Sequence, residues 1–323
     1  MVPLYPLRFE PIYRRYLWGG RRLESVLGKQ LGDGDHYAES WEVVDRDADQ
    51  SRVAAGPLCG TTLRELVRGY SSDLLGRHAP QPQFPLLFKF LDARENLSVQ
   101  VHPNNEQAAR LAQPDLGKTE AWVVIHADPG SVIYAGLKRG WDRAALEREI
   151  ARNTTALCLH RIEPQAGDCI FIPAGTVHAI GAGLVVAEIQ QASDTTFRLF
   201  DWNRVGPDGK PRPLHIREAL ETIDFDRGPI MPQCPKPIGN GPVERLIECD
   251  HFILDRWRWS GEGCVGGDQR CHLLSVLRGA VKVSGDPTGR PLTYGQTLLL
   301  PAACGAVSVM AINETEMLDI YLP

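Results

Sequence analysis

Two histidines, a glutamate and a glutamine, all placed on apolar segments, are the residues of this chain best suited to chemistry. The run Gly167-Asp168-Cys169-Ile170-Phe171-Ile172-Pro173-Ala174-Gly175-Thr176-Val177-His178 reads as a buried strand entering a tight turn that presents His178. Pro173 and Gly175 end the ladder there. A lone histidine in such a place also fits an ordinary core position. What argues for chemistry is its company. In Ser98-Val99-Gln100-Val101-His102-Pro103, strand alternation turns Gln100 and His102 to one face. In Gly117-Lys118-Thr119-Glu120-Ala121-Trp122, Glu120 opens a further strand. Imidazoles with a carboxylate suit zinc or another first-row divalent ion, with a coordination position left open for reaction.

Strands must position these residues. Phe84–Leu91, Ser98–His102, Ala121–His126, Ser131–Tyr134, Cys169–Ile172, Leu184–Gln191 and Thr195–Asp201 carry β-branched or aromatic residues between turn signals. Helices are fewer. Spacing and caps predict Thr61–Leu75 with Thr61 or Thr62 as N-cap, and Asn104–Ala112 capped by Asn104. They also predict Trp141–Asn153 with Asp142 near its start, and Pro213–Ile223 with Pro213 in the first turn. Many short strands with few helices point to a β-sandwich or barrel decorated by helices.

Gly228 to Pro242 is dense in proline and glycine, which disfavours helix and strand alike. It predicts three parts: residues 1–227 carrying the site, a linker at 228–242, and a smaller β domain at 243–323, expected to pack against the first. In the last part Phe252–Trp259, Leu273–Leu277, Ala280–Ser284, Gln296–Leu300 and Glu316–Tyr321 read as strands. Gly167-x5-Pro173 recurs as Gly295-x5-Pro301, and the same offset carries Gly175 to Ala303 and His178 to Ala306. A degenerate repeat that keeps strand and turn but loses the histidine predicts one barrel with a metal site and one without.

Composition sets limits on function. The chain has 323 residues, 43% of them hydrophobic and 23% charged, as ordinary globular proteins have. A formal net charge of -5 gives no reason to expect nucleic acid or an acidic membrane as partner. No apolar run reaches the roughly 20 residues of a spanning helix, and residues 1–10 carry no basic segment followed by an apolar core, so no signal peptide is expected. The eight cysteines include no Cys-x-x-Cys pair and fit reduced thiols in a cytoplasmic protein, taken as a monomer by default.

Gly167-x5-Pro-x-Gly-x2-His resembles the second motif of the cupin β-barrels. The wider order is more specific: Leu17-Trp18-Gly19-Gly20, Glu39-Ser40-Trp41-Glu42, Leu97 through Pro103, Gly117 through Trp122, the His178 turn, and Glu188-Ile189-Gln190-Gln191-Ala192-Ser193-Asp194-Thr195-Thr196-Phe197-Arg198. Together these resemble the short bacterial form of the type I mannose-6-phosphate isomerases, over nearly the whole chain and more weakly after the linker. The resemblance implies a mainly β fold of two cupin-like β-barrels (jelly rolls) with a few helices. It implies a zinc-dependent aldose–ketose isomerase that interconverts mannose 6-phosphate and fructose 6-phosphate, with a small-molecule sugar phosphate as its partner. The family's metal ligands fall on Gln100, His102, Glu120 and His178, its catalytic arginine on Arg198, and its lysine before the metal glutamate on Lys118. Glu120 follows His102 at a longer interval than in the generic cupin motif, and the helical insertion of longer isomerases is missing.

Moving a proton between C1 and C2 through an enediol(ate) needs a base, a carbonyl polariser and positive charge for the oxyanion. Arg198 can supply the last. Glu188 is the first candidate base and Asp194 the second, with Lys118 or a metal-bound water as further options. An ion pair with Arg198 is an equally good reading of Glu188. Glu188, Gln190, Asp194 and Arg198 would share a strand face if no bulge intervenes. Lys118 and Ser98 are candidates for contact with the phosphate or a sugar hydroxyl. Arg14, Arg15, Arg21 and Arg22 read as a solvated surface or a phosphate clamp, and Trp18 and Trp41 as core or cleft wall. Two other classes use the same residues: a cupin iron dioxygenase on His102, His178 and Glu120, or a sugar-binding cupin without turnover.

Overall fold

The computed structural model describes residues 2–206 and 209–323. Strands hold 41% of the chain and helices 14%, which bears out the mainly β expectation. Three antiparallel sheets form the frame. Six strands run in the order Ile12–Gly20, Tyr37–Val43, Leu86–Ala93, Leu184–Gln191, Glu120–Ala127, Cys169–Ile172. Five run in the order Phe197–Phe200, Val99–Val101, His178–Ile180, Ile133–Leu137, Leu159–Ile162. The third sheet belongs to the C-terminal part and is built on three long strands, Ile253–Gly266, His272–Val283 and Ala306–Tyr321.

The six-stranded sheet is buried on both faces, which explains why its central strands read as continuous apolar runs. On one face Phe88, Phe90, Val123, Val185, Ala187 and Ile189 pack with helical Leu63, Leu66 and Leu74 and with Leu246, Phe252, Leu273 and Ile320 of the C-terminal part. On the other, Leu91, Trp122, Val124, Leu184 and Val186 meet Ile133, Ala135, Ile162 and Ile180 of the five-stranded sheet. These two sheets therefore lie face to face. The five-stranded sheet buries its far side under Leu146 of the helix Arg143–Ala151 and Ala219 and Leu220 of the helix Ile216–Thr222.

Along Leu184–Gln191 the even positions face the second sheet. Leu184 and Val186 are apolar; Glu188 and Gln190 are not. The sandwich is thus hydrocarbon at one end and polar at the other, and the polar end holds the site. The C-terminal part joins the same core. Leu7 and Leu299 exchange backbone hydrogen bonds of 2.8 Å each, and Arg77 N–H donates to the Gln269 carbonyl at 2.9 Å.

Cys169–Ile172 and Leu184–Gln191 fall where the sequence puts them. Thr62, Asn104 and Asp142 all cap helices through their side chains, the first two in capping boxes with Glu65 and Gln107. Other boundaries move. The long helix at 61–75 is two, Leu63–Gly69 and Ser71–Leu75, interrupted at Tyr70 after a weak helix former, Gly69. Pro213 precedes its helix, which starts at Ile216, because His215 N–H is drawn to the Arg198 carbonyl at 2.8 Å. Leu273–Leu277 and Ala280–Ser284 fuse into one strand through a bulge at Gly279 (φ 77°). A Cβ there would meet Thr315 Oγ1 at 2.6 Å, so glycine is needed for close approach as well as for its conformation.

Candidate metal centre

Gln100 sits mid-strand, and the chain leaves the sheet at Pro103 just after presenting His102. His178 opens its strand directly opposite Gln100, and Arg198 lies opposite Gln100 on the other side. Arg198, Gln100 and His178 therefore form one cross-strand row. Facing them, Glu120 opens its strand opposite Gln190, with Glu188 opposite Trp122 and Lys89 on its two neighbours.

The rows converge. Glu120 Oε1 is 3.2 Å from His178 Nε2, and Glu120 Oε2 is 3.5 Å from His102 Nε2. Three such atoms lie within 4.8 Å of one another, all on buried side chains. Ligands about 2.0–2.2 Å from a shared first-row ion stand roughly 3–3.5 Å apart in tetrahedral geometry, so the spacing fits one. Each imidazole donates Nδ1–H to a backbone carbonyl, His102 to Thr195 and His178 to Thr176, both at 2.9 Å. That leaves each Nε2 lone pair facing Glu120, as metal-binding histidines are held. Gln100 Nε2 is 3.3 Å from His178 Nε2, and a half-turn of its amide offers Oε1 instead.

Electrostatics agree. Burial pulls His178 down to about 4, opposed by its bond to Thr176 and assisted by Lys118. Burial, then Lys118 and His178, hold His102 well below its usual value. Both rings are neutral near pH 7, as ligands must be. Both Glu120 oxygens are buried, and neither accepts a hydrogen bond among the described residues. Lys118 Nζ stands 3.2 Å from Oε2 and 3.3 Å from His102 Nε2. Buried Glu39, Glu120 and Glu188 outnumber Lys89 and Lys118. A cation would satisfy the surplus carboxylate.

Above the cluster lies a cavity of about 340 Å³, lined by Ser98, Gln100, Lys118, Glu188, Asp194 and Arg198 among others. Trp122 Nε1–H donates to Glu188 Oε2 at 3.0 Å, and Lys89 Nζ is 3.3 Å from Oε1. Lys89 also pairs with Glu39 at 3.2 Å. Burial alone would lower the Lys89 pKa, but Glu188 and Glu39 outweigh it and the net shift is upward. Ser98 Oγ is 3.5 Å from Gln100 Oε1.

The shared strand face expected for Glu188, Gln190, Asp194 and Arg198 is not what forms. The strand ends at Gln191, Asp194 is exposed in a crossing loop, and Arg198 stands on the opposite sheet. Glu188 and Arg198 still line one cavity, but the ion partners of Glu188 are Lys89 and Lys118. Arg198 Nη1 donates to the Pro213 carbonyl at 2.9 Å, and its buried Nε has no hydrogen-bond partner among the described residues. The N-terminal arginines are engaged locally: Arg14 by Asp49, Arg15 by Tyr37, Arg21 by Glu24, Arg22 by Asp128. Trp18 is both core and cavity wall, whereas Trp41 is buried and bonds Glu39 at 2.6 Å. Lys89 and Thr195 carry roles the sequence reading passed over. A lone lysine inside Pro85-Leu-Leu-Phe-Lys-Phe-Leu was a usable signal for Lys89; a backbone carbonyl leaves none.

The profile described as "Phosphomannose isomerase type I, catalytic domain" matches residues 7–120. The chain is 34% identical over 316 residues to mannose-6-phosphate isomerase ManA of Bacillus subtilis, spanning 96% of this chain and 97% of that one. It is 32% identical over 296 residues to a mannose-6-phosphate isomerase of Streptococcus mutans, spanning 92% of each. The crystal structure of mannose 6-phosphate isomerase from B. subtilis superposes with a TM-score of 0.89 at 26% identity, covering 99% of this chain and 100% of that one.

Proposed function

The chain belongs to the type I mannose-6-phosphate isomerase family, and from that premise we propose that it interconverts mannose 6-phosphate and fructose 6-phosphate by proton transfer between C1 and C2. The observation that carries this reading is the convergence of His102, Glu120 and His178 beneath a cavity lined by Lys118, Glu188 and Arg198. Gln100, His102, Glu120 and His178 hold one divalent ion, with zinc the first choice for two imidazoles, a carboxylate and an amide. When bound, the ion supplies Lewis-acid stabilisation of negative charge on a substrate oxygen.

Glu188 takes the carbon-bound proton. In support, Trp122 fixes its Oε2 by a hydrogen bond, while Oε1 lies in ion-pair range of Lys89 but accepts no hydrogen bond among the described residues. Asp194 is a weaker candidate because it is solvated at the cavity mouth. Lys118 moves a proton to or from the substrate oxygens, or hydrogen-bonds a hydroxyl. Arg198 holds permanent positive charge toward the enediolate. Ser98 contributes a hydroxyl to substrate binding. The pairing of cationic and acidic groups around the cluster favours a phosphorylated polar substrate over oxygen chemistry or mere sugar binding.

The architecture is read as two cupin-like barrels, residues 1–227 and 243–323, joined by 228–242. Supporting the repeat, Thr297–Leu300 follows Gly295 (φ 73°) and precedes Pro301 as Cys169–Ile172 follows Gly167 (φ 94°) and precedes Pro173. Turnover of mannose 6-phosphate, followed by coupled detection of fructose 6-phosphate, tests the function. Activity lost on chelation and regained with zinc is expected; tight sugar binding without turnover would contradict it.

A further inference from the structure

The Ser193–Arg198 motif contributes Arg198 to the cavity, but its serine and threonines have no part in the chemistry proposed above. Their contacts give them one. The loop 192–196 carries the chain from the six-stranded sheet to the five-stranded sheet; Pro85, Arg46 and Gln190 hold its backbone at Ala192 and Ser193, and its two hydroxyls at 193 and 195 meet on a single carboxylate. Asp115 Oδ2 accepts from Ser193 Oγ at 3.0 Å and from Thr195 Oγ1 at 2.8 Å. Arg46 forks onto the same carboxylate at 2.9 and 3.2 Å, and its Nη1 also donates to the Ala192 carbonyl at 2.7 Å. Leu116 N–H donates to Asp115 Oδ1 at 2.8 Å.

The two histidines of the cluster differ in how their Nδ1 partners are held. His178 bonds the carbonyl of Thr176 in its own turn, so chain connectivity fixes the acceptor. His102 bonds the carbonyl of Thr195, remote in sequence and on the crossing loop. Within the loop Thr195 N–H makes a long bond of 3.3 Å to Ser193 Oγ, and the Thr195 hydroxyl ties the residue to Asp115 at 2.8 Å. We propose that Asp115 and the Thr195 side chain are positioning residues for His102, fixing the carbonyl that sets its tautomer and aims Nε2 at Glu120.

This rests on His102 being a metal ligand, as read above. Burial opposes charge on Asp115, but its bonds to Arg46 and Thr195 hold its pKa below the usual carboxylate value, so it accepts both hydroxyls near pH 7. Partners that orient a metal-bound imidazole are typically worth about 10–100-fold in metal affinity.

Thr195→Val removes the hydroxyl at nearly constant volume and leaves the backbone carbonyl in the chain; Thr195→Ser restores the hydroxyl. Zinc affinity of the full chain is measured by competition with a chromogenic chelator, alongside the visible spectrum of the cobalt(II) form and the melting temperature of the metal-free form. The expected result is zinc binding weakened about 10–100-fold in Thr195→Val with an altered cobalt spectrum, and both restored in Thr195→Ser. Asp115→Asn, which weakens the acceptor while leaving the residues of the loop unchanged, is expected to fall between them and serves if Thr195→Val does not fold. Wild-type zinc affinity in Thr195→Val and Asp115→Asn would overturn the proposal, as would loss of affinity that Thr195→Ser fails to restore. A wild-type chain that binds no zinc would overturn the metal reading itself, a result visible before any variant is made.

Discussion

Lys89 and Glu188 stand opposite each other on adjacent strands, Nζ 3.3 Å from Oε1, with both side chains buried. Lys89 reaches Glu39 as well, so one ammonium serves two carboxylates inside the sandwich. A buried ion pair is held by geometry, and removing one member leaves the other charge stranded.

Lys89→Met is therefore expected to destabilise the protein by about 3–5 kcal/mol, because Glu39 and Glu188 lose their common cation. Urea unfolding at pH 7 measures this. A change below about 1 kcal/mol, the range of an exposed pair, would mean the pair is effectively solvated.

Glu188→Gln keeps the shape and the Trp122 contact but cannot accept a proton. Its kcat should fall by about 10²–10⁴-fold, with metal content unchanged. Near-full kcat would remove Glu188 from the base role and move attention to Lys118 or Asp194.

Cys169–Ile172 and Leu184–Gln191 were legible because β-branched runs between glycine and proline punctuation have few alternatives. Tyr37–Val43 was not legible. Glu39, Ser40 and Glu42 look out of place in a buried strand until Lys89 and Lys29, distant in sequence, are folded against them. Gln100, His102, Glu120 and His178 stood out as candidates because ligand-type side chains on apolar strands are conspicuous and because their order resembles a known family; of these, His102, Glu120 and His178 converge as a group that could hold a metal ion. The geometry of Arg198 was out of reach. A loop that changes sheets looks, in sequence, like a strand with a polar interruption.

His272 should make stability pH-dependent on the alkaline side. Burial opposes its charge, but Asp319 at 2.7 Å and Asp268 at 3.1 Å outweigh it and raise its pKa to about 9. The folded value lies above the unfolded one, near 6.5. The contribution is therefore fully present below about pH 6.5 and is lost as pH rises through 9. A shift of this size corresponds to roughly 3 kcal/mol. Urea unfolding at pH 6 and pH 9.5 should show the loss in the wild type and little of it in His272→Gln. Equal pH dependence in both would place its origin elsewhere.

The most direct test of the metal centre is a crystal grown with zinc, with anomalous data collected on both sides of the zinc edge. A single anomalous peak bonded to His102 Nε2, His178 Nε2, Glu120 and Gln100, at about 2.0–2.2 Å from its nitrogen and oxygen ligands, is the expected result. An ion bound elsewhere, or no peak between these four side chains, would contradict it.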